Sequence, residues 1–140
     1  MKQAIVYWTG TGNTQMMAET IMDELESLGF DPSFDFVGDA EISDVEEADW
    51  VFLGSPAMTG EDIEELEFRP FFEDIKPLLA NKKVVLFGSY DWGGGEWMNS
   101  WSKEVEDAEG EIMATLKVQW NPEEEQLNAI REQVRIFFVE

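Results

Sequence analysis

The amino-acid sequence predicts an α/β fold, namely a doubly wound, five-stranded parallel sheet of strand order 2-1-3-4-5 with helices on both faces. Apolar runs alternate along the chain with amphipathic segments, which is the pattern of repeated strand–helix–strand units. Three of the apolar runs are continuous rather than alternating, as expected for strands that are buried on both faces. The length of 140 residues predicts a single domain over residues 1–140.

Five segments are predicted as strands because each is a short apolar run bounded by turn residues. They are residues 4–8, 34–37, 50–54, 83–90 and 112–120. The continuous runs at 4–8, 50–54 and 84–88 are predicted to be the central strands. The order 2-1-3-4-5 is one of the two common solutions for such a sheet, and in it right-handed crossovers place the loops that follow strands 1, 3 and 4 at one edge, where such folds bind ligands.

Five helices are predicted to alternate with these strands. In the first, apolar residues recur at helical spacing from Met17 to Leu28, and Gly29 stands where a C-terminal cap is expected. The last is predicted to begin at Pro122, because proline suits the first turn and the three following glutamates suit the positive end of the helix dipole. The others are predicted over residues 43–48, 70–79 and 96–108, and the last ends at residue 138.

The composition limits both the chemistry and the partners. The formal net charge is -22 and no Lys or Arg occurs between Lys2 and Arg69, so nucleic acids and anionic membranes would be repelled. Basic surfaces on other proteins are the expected partners. Without cysteine or histidine the chain lacks thiol nucleophiles, thiolate metal sites and the commonest general base. Any chemistry must therefore depend on carboxylates or on a cofactor.

The loop after the first strand, TGTGNT at residues 9–14, has the composition of an anion-binding loop. Gly10 and Gly12 permit close backbone approach, and the hydroxyl and amide side chains supply neutral donors beside a helix start. The missing lysine excludes the loop of nucleoside triphosphatases, and Gln15 replaces the third glycine of the dinucleotide-binding pattern. The loop is therefore predicted to hold a phosphate. An ordinary helix cap would account for Asn13 or Thr14 alone.

The loops after strands 3 and 4 contain residues suited to a planar ligand. In SYDWGGGEW, Trp92 stands beside three glycines that let the backbone follow the edge of a ring. Trp97 and Trp101, at helical spacing, are predicted to be core residues. Met58, in the loop after strand 3, has a flexible thioether that packs well against an aromatic face. The two loops are predicted to face each other across one ligand.

Together, TGTGNT, SPAMTGE with EFRPF downstream, and GSYDWGGGEWM make the chain resemble a short-chain flavodoxin of the clostridial type over essentially its whole length. The resemblance implies FMN as the cofactor, with Met58 against the inner flavin face, Trp92 over the outer face and Glu61 accepting from the pyrimidine edge. The implied FMN-binding residues are Thr9, Gly10, Thr11, Gly12, Asn13 and Thr14, then Pro56, Ala57, Met58, Thr59, Gly60 and Glu61, then Ser89, Tyr90, Asp91, Trp92 and Gly93.

The sequence departs from its near relatives at three places in these motifs. Thr59-Gly60 and Asp91 differ from the residues usual in the family, which is expected to alter redox tuning, and Trp120 stands where an asparagine is common. A type II turn over residues 58–61 requires a positive φ at its third position, which Gly60 supplies, whereas a type II′ turn requires it at β-branched Thr59. The resemblance therefore implies that the Thr59 carbonyl already points towards flavin N5 in the oxidised protein, or that the peptide after Thr59 turns over less on reduction than in relatives.

The resemblance implies a low-potential one-electron carrier that cycles FMN between semiquinone and hydroquinone, and not an enzyme. The alternative is a flavodoxin-like flavin-dependent reductase, acting on quinones or maintaining the cofactor of a ribonucleotide reductase. Basic surfaces on reductases and oxidoreductases are expected to dock on an acidic rim that includes Glu61, Asp62, Glu64, Glu65 and Glu67; the alternative is that these acids form only a solvated face. With no signal-like N-terminus and no membrane-length apolar run, a monomer in the cytoplasm is expected.

Overall fold

The chain folds into a five-stranded parallel sheet between two layers of helices. A computed structural model describes residues 1–58 and 60–138. The strand order is β2-β1-β3-β4-β5, and every neighbouring pair of strands is parallel. The predicted fold class and strand order are therefore confirmed.

Strands and helices alternate along the chain. The strands are β1 (Gln3–Tyr7), β2 (Ser33–Phe36), β3 (Trp50–Gly54), β4 (Lys83–Tyr90) and β5 (Glu111–Gln119). The helices are α1 (Asn13–Ser27), α2 (Ile42–Glu47), α3 (Phe68–Ile75), α4 (Trp97–Asp107) and α5 (Glu124–Phe138). Short 3-10 turns at Val37–Asp39 and Lys76–Leu78 follow β2 and α3.

Successive residues of the central strands enter two separate apolar cores. Ala4 and Val6 of β1 face the core beneath α2, α3 and α4, while Ile5 and Tyr7 face the core beneath α1 and α5. Strands that are buried on both faces need apolar residues at every position, which explains the continuous runs in β1, β3 and β4. These three strands are central, as predicted.

The core beneath α3 and α4 contains the two tryptophans that were predicted to lie there. Trp97 and Trp101 are each 1% exposed. The ring of Trp101 meets Phe68 and Phe72 of α3 edge to face, at centroid separations of 5.6 and 6.1 Å. This edge-to-face packing joins α3 to α4 beneath the predicted site.

Helix α3 was wrongly predicted over residues 70–79, since it runs over Phe68–Ile75. The earlier start follows from Glu64, whose buried carboxylate accepts the backbone N–H of Phe68 at 2.8 Å. The earlier end follows from Pro77, which has no backbone N–H to donate to the carbonyl of Glu73, and the chain continues as a 3-10 turn over Lys76–Leu78.

Helix α5 begins at Glu124, two residues after the predicted start at Pro122. The Glu123 N–H donates to Gln126 Oε1 at 2.7 Å, and the Glu123 carbonyl accepts from the N–H of Leu127. This arrangement is half of a capping box with Glu123 at the cap. Pro122 is buried and precedes the cap rather than occupying the first turn.

The other element boundaries agree with the predictions or differ by one residue. The strands predicted at 4–8, 34–37 and 112–120 each begin and end one residue earlier, as does the helix predicted at 43–48, and the helix predicted at 96–108 is one residue shorter at both ends. Gly29 closes α1 as predicted, with φ 93° and with the N–H of Phe30 bonded to the Leu25 carbonyl. Within residues 1–58 and 60–138, no helix has the length and apolar character needed to cross a membrane.

Candidate functional site

The loops that follow β1, β3 and β4 meet at the carboxyl edge of the sheet. Hydrogen bonding between neighbouring strands of the sheet continues past the strand ends, from Trp8 N to Gly54 O at 2.9 Å and from Ala57 N to Ser89 O at 3.0 Å. Gly88 allows β3 and β4 to approach closely, because a Cβ there would collide with the carbonyl oxygen of Ser55. The parallel register thus joins three loops that are far apart in sequence.

A cleft that is open to solvent lies between these loops. All but one of the residues that line it had been predicted as site residues. They are Trp8, Gly10, Thr11, Pro56, Ala57, Met58, Ser89, Tyr90 and Asp91. The structure therefore brings members of all three predicted loops together around one concave surface.

Trp8 is the lining residue that the sequence analysis missed. Its ring is half-buried, and its Nε1 donates a hydrogen bond to Glu67 Oε1 at 3.2 Å. A Cβ on Gly10 would stand 3.0 Å from that ring, so the indole can lie beside the loop because Gly10 has no side chain. The available signal was an aromatic residue directly between a buried strand and the predicted phosphate-binding loop of residues 9–14.

Four predicted residues of the first loop lie behind the cleft rather than on its lining. Gly12 has φ 98° and precedes α1, and its N–H donates to Thr9 Oγ1 at 3.0 Å. The hydroxyl of buried Thr14 lies 3.3 Å from Ser89 Oγ, and Asn13 Nδ2 donates to Asn121 Oδ1 at 3.1 Å. These contacts fix the shape of the loop at the N-terminus of α1, where the first backbone N–H groups have no partner within the helix.

The turn after β3 closes on itself. The Glu61 N–H donates to the Met58 carbonyl at 3.0 Å, and the Met58 N–H donates to the Asp62 carbonyl at 2.8 Å. Gly60 has φ 86°, the positive value that the predicted turn requires at this position. Thr59 lies outside the described residues, so the expectations for its FMN contact and for the direction of its carbonyl stay predictions.

Glu61 links the loops after β3 and β4. Its Oε2 accepts the backbone N–H of Trp97, at the start of α4, at 3.2 Å. A Cβ on Gly93 would collide with the same carboxylate, so Gly93 has to lack a side chain for the two loops to meet. A carboxylate is favoured beside the first turn of a helix. The predicted contact between Glu61 and the pyrimidine edge of FMN stays a prediction.

Trp92 stands at the rim of the cleft. Its side chain is 81% exposed, and its ring lies edge to face with that of Trp120, with centroids 4.8 Å apart and planes at 90°. Met58, on the opposite loop, lines the cleft and is 39% exposed. Met58 therefore lines the cleft, whereas Trp92 follows the lining residue Asp91 without lining the cleft itself, and its predicted contact with a flavin face stays a prediction.

A fourth loop, which follows β5, also contributes to the site. Gln119 Nε2 donates to the carbonyl of Asp91 at 2.9 Å, and the N–H of Trp120 donates to the carbonyl of Tyr90 at 2.8 Å. Asn121 accepts from Asn13 in the first loop. Residues 119–121 therefore brace both the phosphate-type loop and the loop that carries Trp92.

Glu64 was wrongly assigned to the acidic rim. It is 4% exposed, and its carboxylate accepts the N–H groups of Leu66, Glu67 and Phe68 at 2.8–2.9 Å. A buried carboxylate is tolerable when several backbone donors satisfy it, and this one organises the start of α3. Glu64 therefore has a structural role and is not available to a partner protein.

Asp62 is partly neutralised by Arg69, whose Nη2 lies 2.6 Å from Asp62 Oδ1. The same guanidinium pairs with Glu73 at 3.0 Å and with Glu104 at 2.7 Å. Burial opposes ionisation of Glu104, but hydrogen bonds from Arg69 and Lys76 outweigh it, so the pKa of Glu104 is lowered overall. The negative charge of the rim therefore comes chiefly from carboxylates other than Asp62.

Comparison with known proteins gives a consistent result. The sequence profile of the family described as Flavodoxin matches residues 5–133. A flavodoxin of Megasphaera elsdenii is 43% identical over 119 residues, covering 85% of this chain and 87% of the relative. A flavodoxin of Clostridium beijerinckii is 41% identical over 127 residues, covering 90% and 92%. The solution structure of two-electron reduced Megasphaera elsdenii flavodoxin superposes with a TM-score of 0.86 at 39% identity, covering 94% of this chain and 97% of that one.

Proposed function

The chain belongs to the flavodoxin family, and from this premise we propose that its cleft holds FMN, through which the protein carries single electrons at low potential. The observation that carries the proposal is the meeting of three predicted loops around one open cleft at the carboxyl edge of the sheet. When bound, FMN supplies the one-electron redox chemistry. The protein is an electron carrier and not an enzyme, like the two flavodoxins that are 43% and 41% identical to it.

The phosphate of FMN fits the loop of residues 9–14. A dianion there would meet the free N–H groups at the start of α1 and the positive end of its dipole. Thr11 is exposed on the cleft, and the Thr9 hydroxyl, while accepting from Gly12, keeps its own hydrogen to donate. A loop without charged side chains can hold a phosphate because these neutral donors are fixed in place before binding.

The flavin ring fits the opening between the loops after β3 and β4. Met58 offers a polarisable side chain on one side, and Trp92 stands at the rim on the other, where its ring can cover the outer face. Glu61 would accept from the pyrimidine edge by turning from the Trp97 N–H, and backbone amides from Asp91 to Gly93 would bind the same edge. The cleft is open to solvent, so a ring bound there would be accessible to electrons from a partner.

The charge of the protein favours a low potential. Full reduction adds an electron to a site within a chain of formal net charge -22. Carboxylates of Glu65, Glu67 and Asp91 lie exposed on the loops around the cleft, where they disfavour a further negative charge. These carboxylates would therefore favour release of the electron from the site.

A stepwise reductive titration of the FMN-loaded protein tests the proposed function. Absorbance spectra should resolve two one-electron steps, with a stable blue one-electron-reduced species between them. A direct two-electron conversion from yellow to colourless would instead support the alternative, a flavin-dependent reductase.

The phosphate assignment is tested by Thr11→Val, which removes one exposed hydroxyl and keeps the shape of the side chain. Titration of the apoprotein should show FMN binding weakened by about 10-fold or more, because a hydrogen bond to a charged acceptor is lost. Riboflavin, which lacks the phosphate, should bind the variant and the wild type alike. Thr115→Val, at an exposed site on β5, is the matched control. Equal losses for FMN and riboflavin would contradict the assignment.

We further propose that basic redox proteins dock around the cleft of a monomer in the cytoplasm. Of the five predicted rim acids, Glu65 and Glu67 are exposed and, among the described residues, take part in no ion pair. Complementary charge mainly accelerates encounter and sets orientation, so docking should be sensitive to salt. The acids near the opening would bring a partner's redox group towards a flavin bound in the cleft.

Charge reversal at Glu65 tests this docking surface. With cytochrome c as a basic electron acceptor, Glu65→Lys should slow electron transfer several-fold at low ionic strength, and about 0.5 M salt should remove most of the difference. Glu106→Lys makes the same charge change at the far end of α4 and should have a smaller effect. A defect that persists undiminished in high salt, or equal effects of the two variants, would rule out docking at this rim.

A further inference from the structure

We propose that Trp120 is a positioning residue that holds Trp92 at the rim of the cleft, an inference that rests on the proposed FMN site. Trp92 stands on a glycine-rich loop and is 81% exposed, so few contacts restrict its ring. Among the described residues, the aromatic ring that it meets is Trp120, edge to face at 4.8 Å. Edge-to-face packing of this kind is attractive and directional, and it therefore defines an orientation.

The backbone of Trp120 is fixed against the loop that carries Trp92. Its N–H donates to the carbonyl of Tyr90 at 2.8 Å, which continues the pairing of β4 with β5 by one more residue. The preceding side chain, Gln119, donates to the carbonyl of Asp91 at 2.9 Å. Both residues just before Trp92 are therefore tied to the segment that presents the second indole.

The conformation of Trp120 does not favour a tryptophan. Its φ is 64°, in the left-handed region where bulky residues are disfavoured and where glycine and asparagine are accommodated. A tryptophan at this position opposes the local backbone preference, and its ring is 44% exposed, so deep burial does not compensate for the strain. Among the described residues, the aromatic contact that this ring makes is the one with Trp92.

Positioning matters because Trp92 is otherwise free to rotate. An indole already held at the opening loses less side-chain freedom when a flavin ring enters than one that samples many rotamers. Trp120 would act on cofactor affinity through Trp92, without touching the cofactor itself. This indirect route makes a specific demand: the effect of removing Trp120 must depend on the presence of Trp92.

A double-mutant cycle on FMN affinity tests that demand. Trp120→Asn, which suits the left-handed backbone, should raise the Kd for FMN by about 2- to 12-fold in the wild-type background. It should have no effect in the Trp92→Ala background, and Trp120→Phe should restore most of the affinity. Leu66→Asn removes another exposed apolar side chain, which is 79% exposed in the loop between β3 and α3, and should leave the Kd unchanged.

Circular dichroism of the apoprotein gives a second readout that needs no flavin. Two indoles at this separation should produce a coupled signal that Trp92→Ala and Trp120→Asn both abolish and that Leu66→Asn retains. The proposal is overturned if the wild-type apoprotein lacks this signal, if Trp120→Asn leaves FMN affinity unchanged, or if it weakens affinity equally in both backgrounds. Failure of the wild type to bind FMN would contradict the proposed function, while the apoprotein signal would still test the tryptophan pair.

Discussion

Glu64 shows how one buried carboxylate shapes the segment between the cleft and α3. Its oxygens accept three consecutive backbone N–H groups, and its own N–H donates to Ser55 Oγ at 3.0 Å. Ser55 directly follows β3, so these bonds fasten the acidic segment to the end of a central strand. A residue that looks like one acid among many in the sequence therefore organises the loop that includes the predicted site.

Glu64→Gln is expected to lower the free energy of unfolding by about 1.5–3 kcal/mol, because an amide replaces one charged acceptor by a donor that faces other donors. Urea denaturation of the apoprotein measures the change. Glu65→Gln alters the exposed neighbour in the same way and should stay within about 0.5 kcal/mol of wild type. Similar small losses for both variants would mean that the Glu64 carboxylate is not needed.

The fold is expected to be destabilised when Gly60 is replaced by a residue that disfavours a positive φ. A Cβ there meets no atom within 4 Å, so Gly60→Ala should act through backbone strain alone, lowering the free energy of unfolding by about 1–2 kcal/mol at φ 86°. Gly60→Asn should lose less, because asparagine tolerates the left-handed region. Thermal unfolding of the two apoproteins gives the comparison, and equal losses would show that side-chain crowding and not φ is responsible.

At the scale of elements, Arg69 and Lys76 join α3 to α4. Arg69 pairs with acids from the loop after β3, from α3 and from α4, while Lys76 lies 2.9 Å from Glu73 and 2.8 Å from Glu104. Hydrogen bonds from Lys76 and Arg69 lower the pKa of Glu73. A shared cluster stabilises more than isolated surface pairs do, because the side chains are already restricted by their neighbours.

The cluster predicts a specific dependence of stability on pH. The pKa of Glu104 is lower in the folded protein than its ordinary value of 4.5, so its ionised form stabilises the fold above that pH, and the benefit disappears as pH falls through the lower value. Glu104→Gln should cost about 1 kcal/mol at pH 7, and the difference from wild type should shrink towards about pH 3. Urea unfolding across this range measures it. Glu106→Gln on the same helix is the control, and a loss for Glu104→Gln that does not change with pH would indicate packing instead.

At the scale of the whole molecule, a net charge of -22 opposes folding through self-repulsion. The pKa of Asp35, on the edge strand β2, is shifted by burial and by this repulsion. Burial and then the nearby carboxylates of Asp44, Asp39 and Glu41 raise its pKa. A carboxyl group whose pKa is raised by folding is more stable protonated, so its negative charge destabilises the fold at neutral pH.

Salt is therefore expected to stabilise the apoprotein. Raising NaCl from about 20 to 200 mM shortens the screening length from roughly 20 to 7 Å, and the Tm should rise by a few degrees. Asp35→Asn should raise the Tm at low salt and reduce the response to NaCl. Calorimetry or circular dichroism measures both quantities. A Tm that falls with added salt would mean that attractive ion pairs, such as those of Arg69, outweigh the repulsion.

The sequence by itself determined the α/β class, the central strands and three of the loops at the ligand-binding edge, while the strand order was one of two common solutions and was supported by the resemblance to short-chain flavodoxins. The reason is that burial on both faces of a strand and the periodicity of an amphipathic helix are recorded in neighbouring residues. The loops that line the cleft were predicted from topology, since a loop that follows a parallel strand must lie at its carboxyl end, and the resemblance to short-chain flavodoxins implied most of the individual lining residues. Only Trp8 among them was missed.

The tertiary structure decided where the individual side chains of these loops point. That Glu64 is buried and Glu65 exposed, or that Arg69 meets Glu104 at a separation of 35 positions, depends on contacts that local sequence does not contain. The same is true of Trp92 and Trp120, which are brought together by the pairing of β4 with β5. A long polar side chain can reach several partners, and an aromatic side chain can pack against several surfaces. Only the neighbours in the folded protein select one of these arrangements.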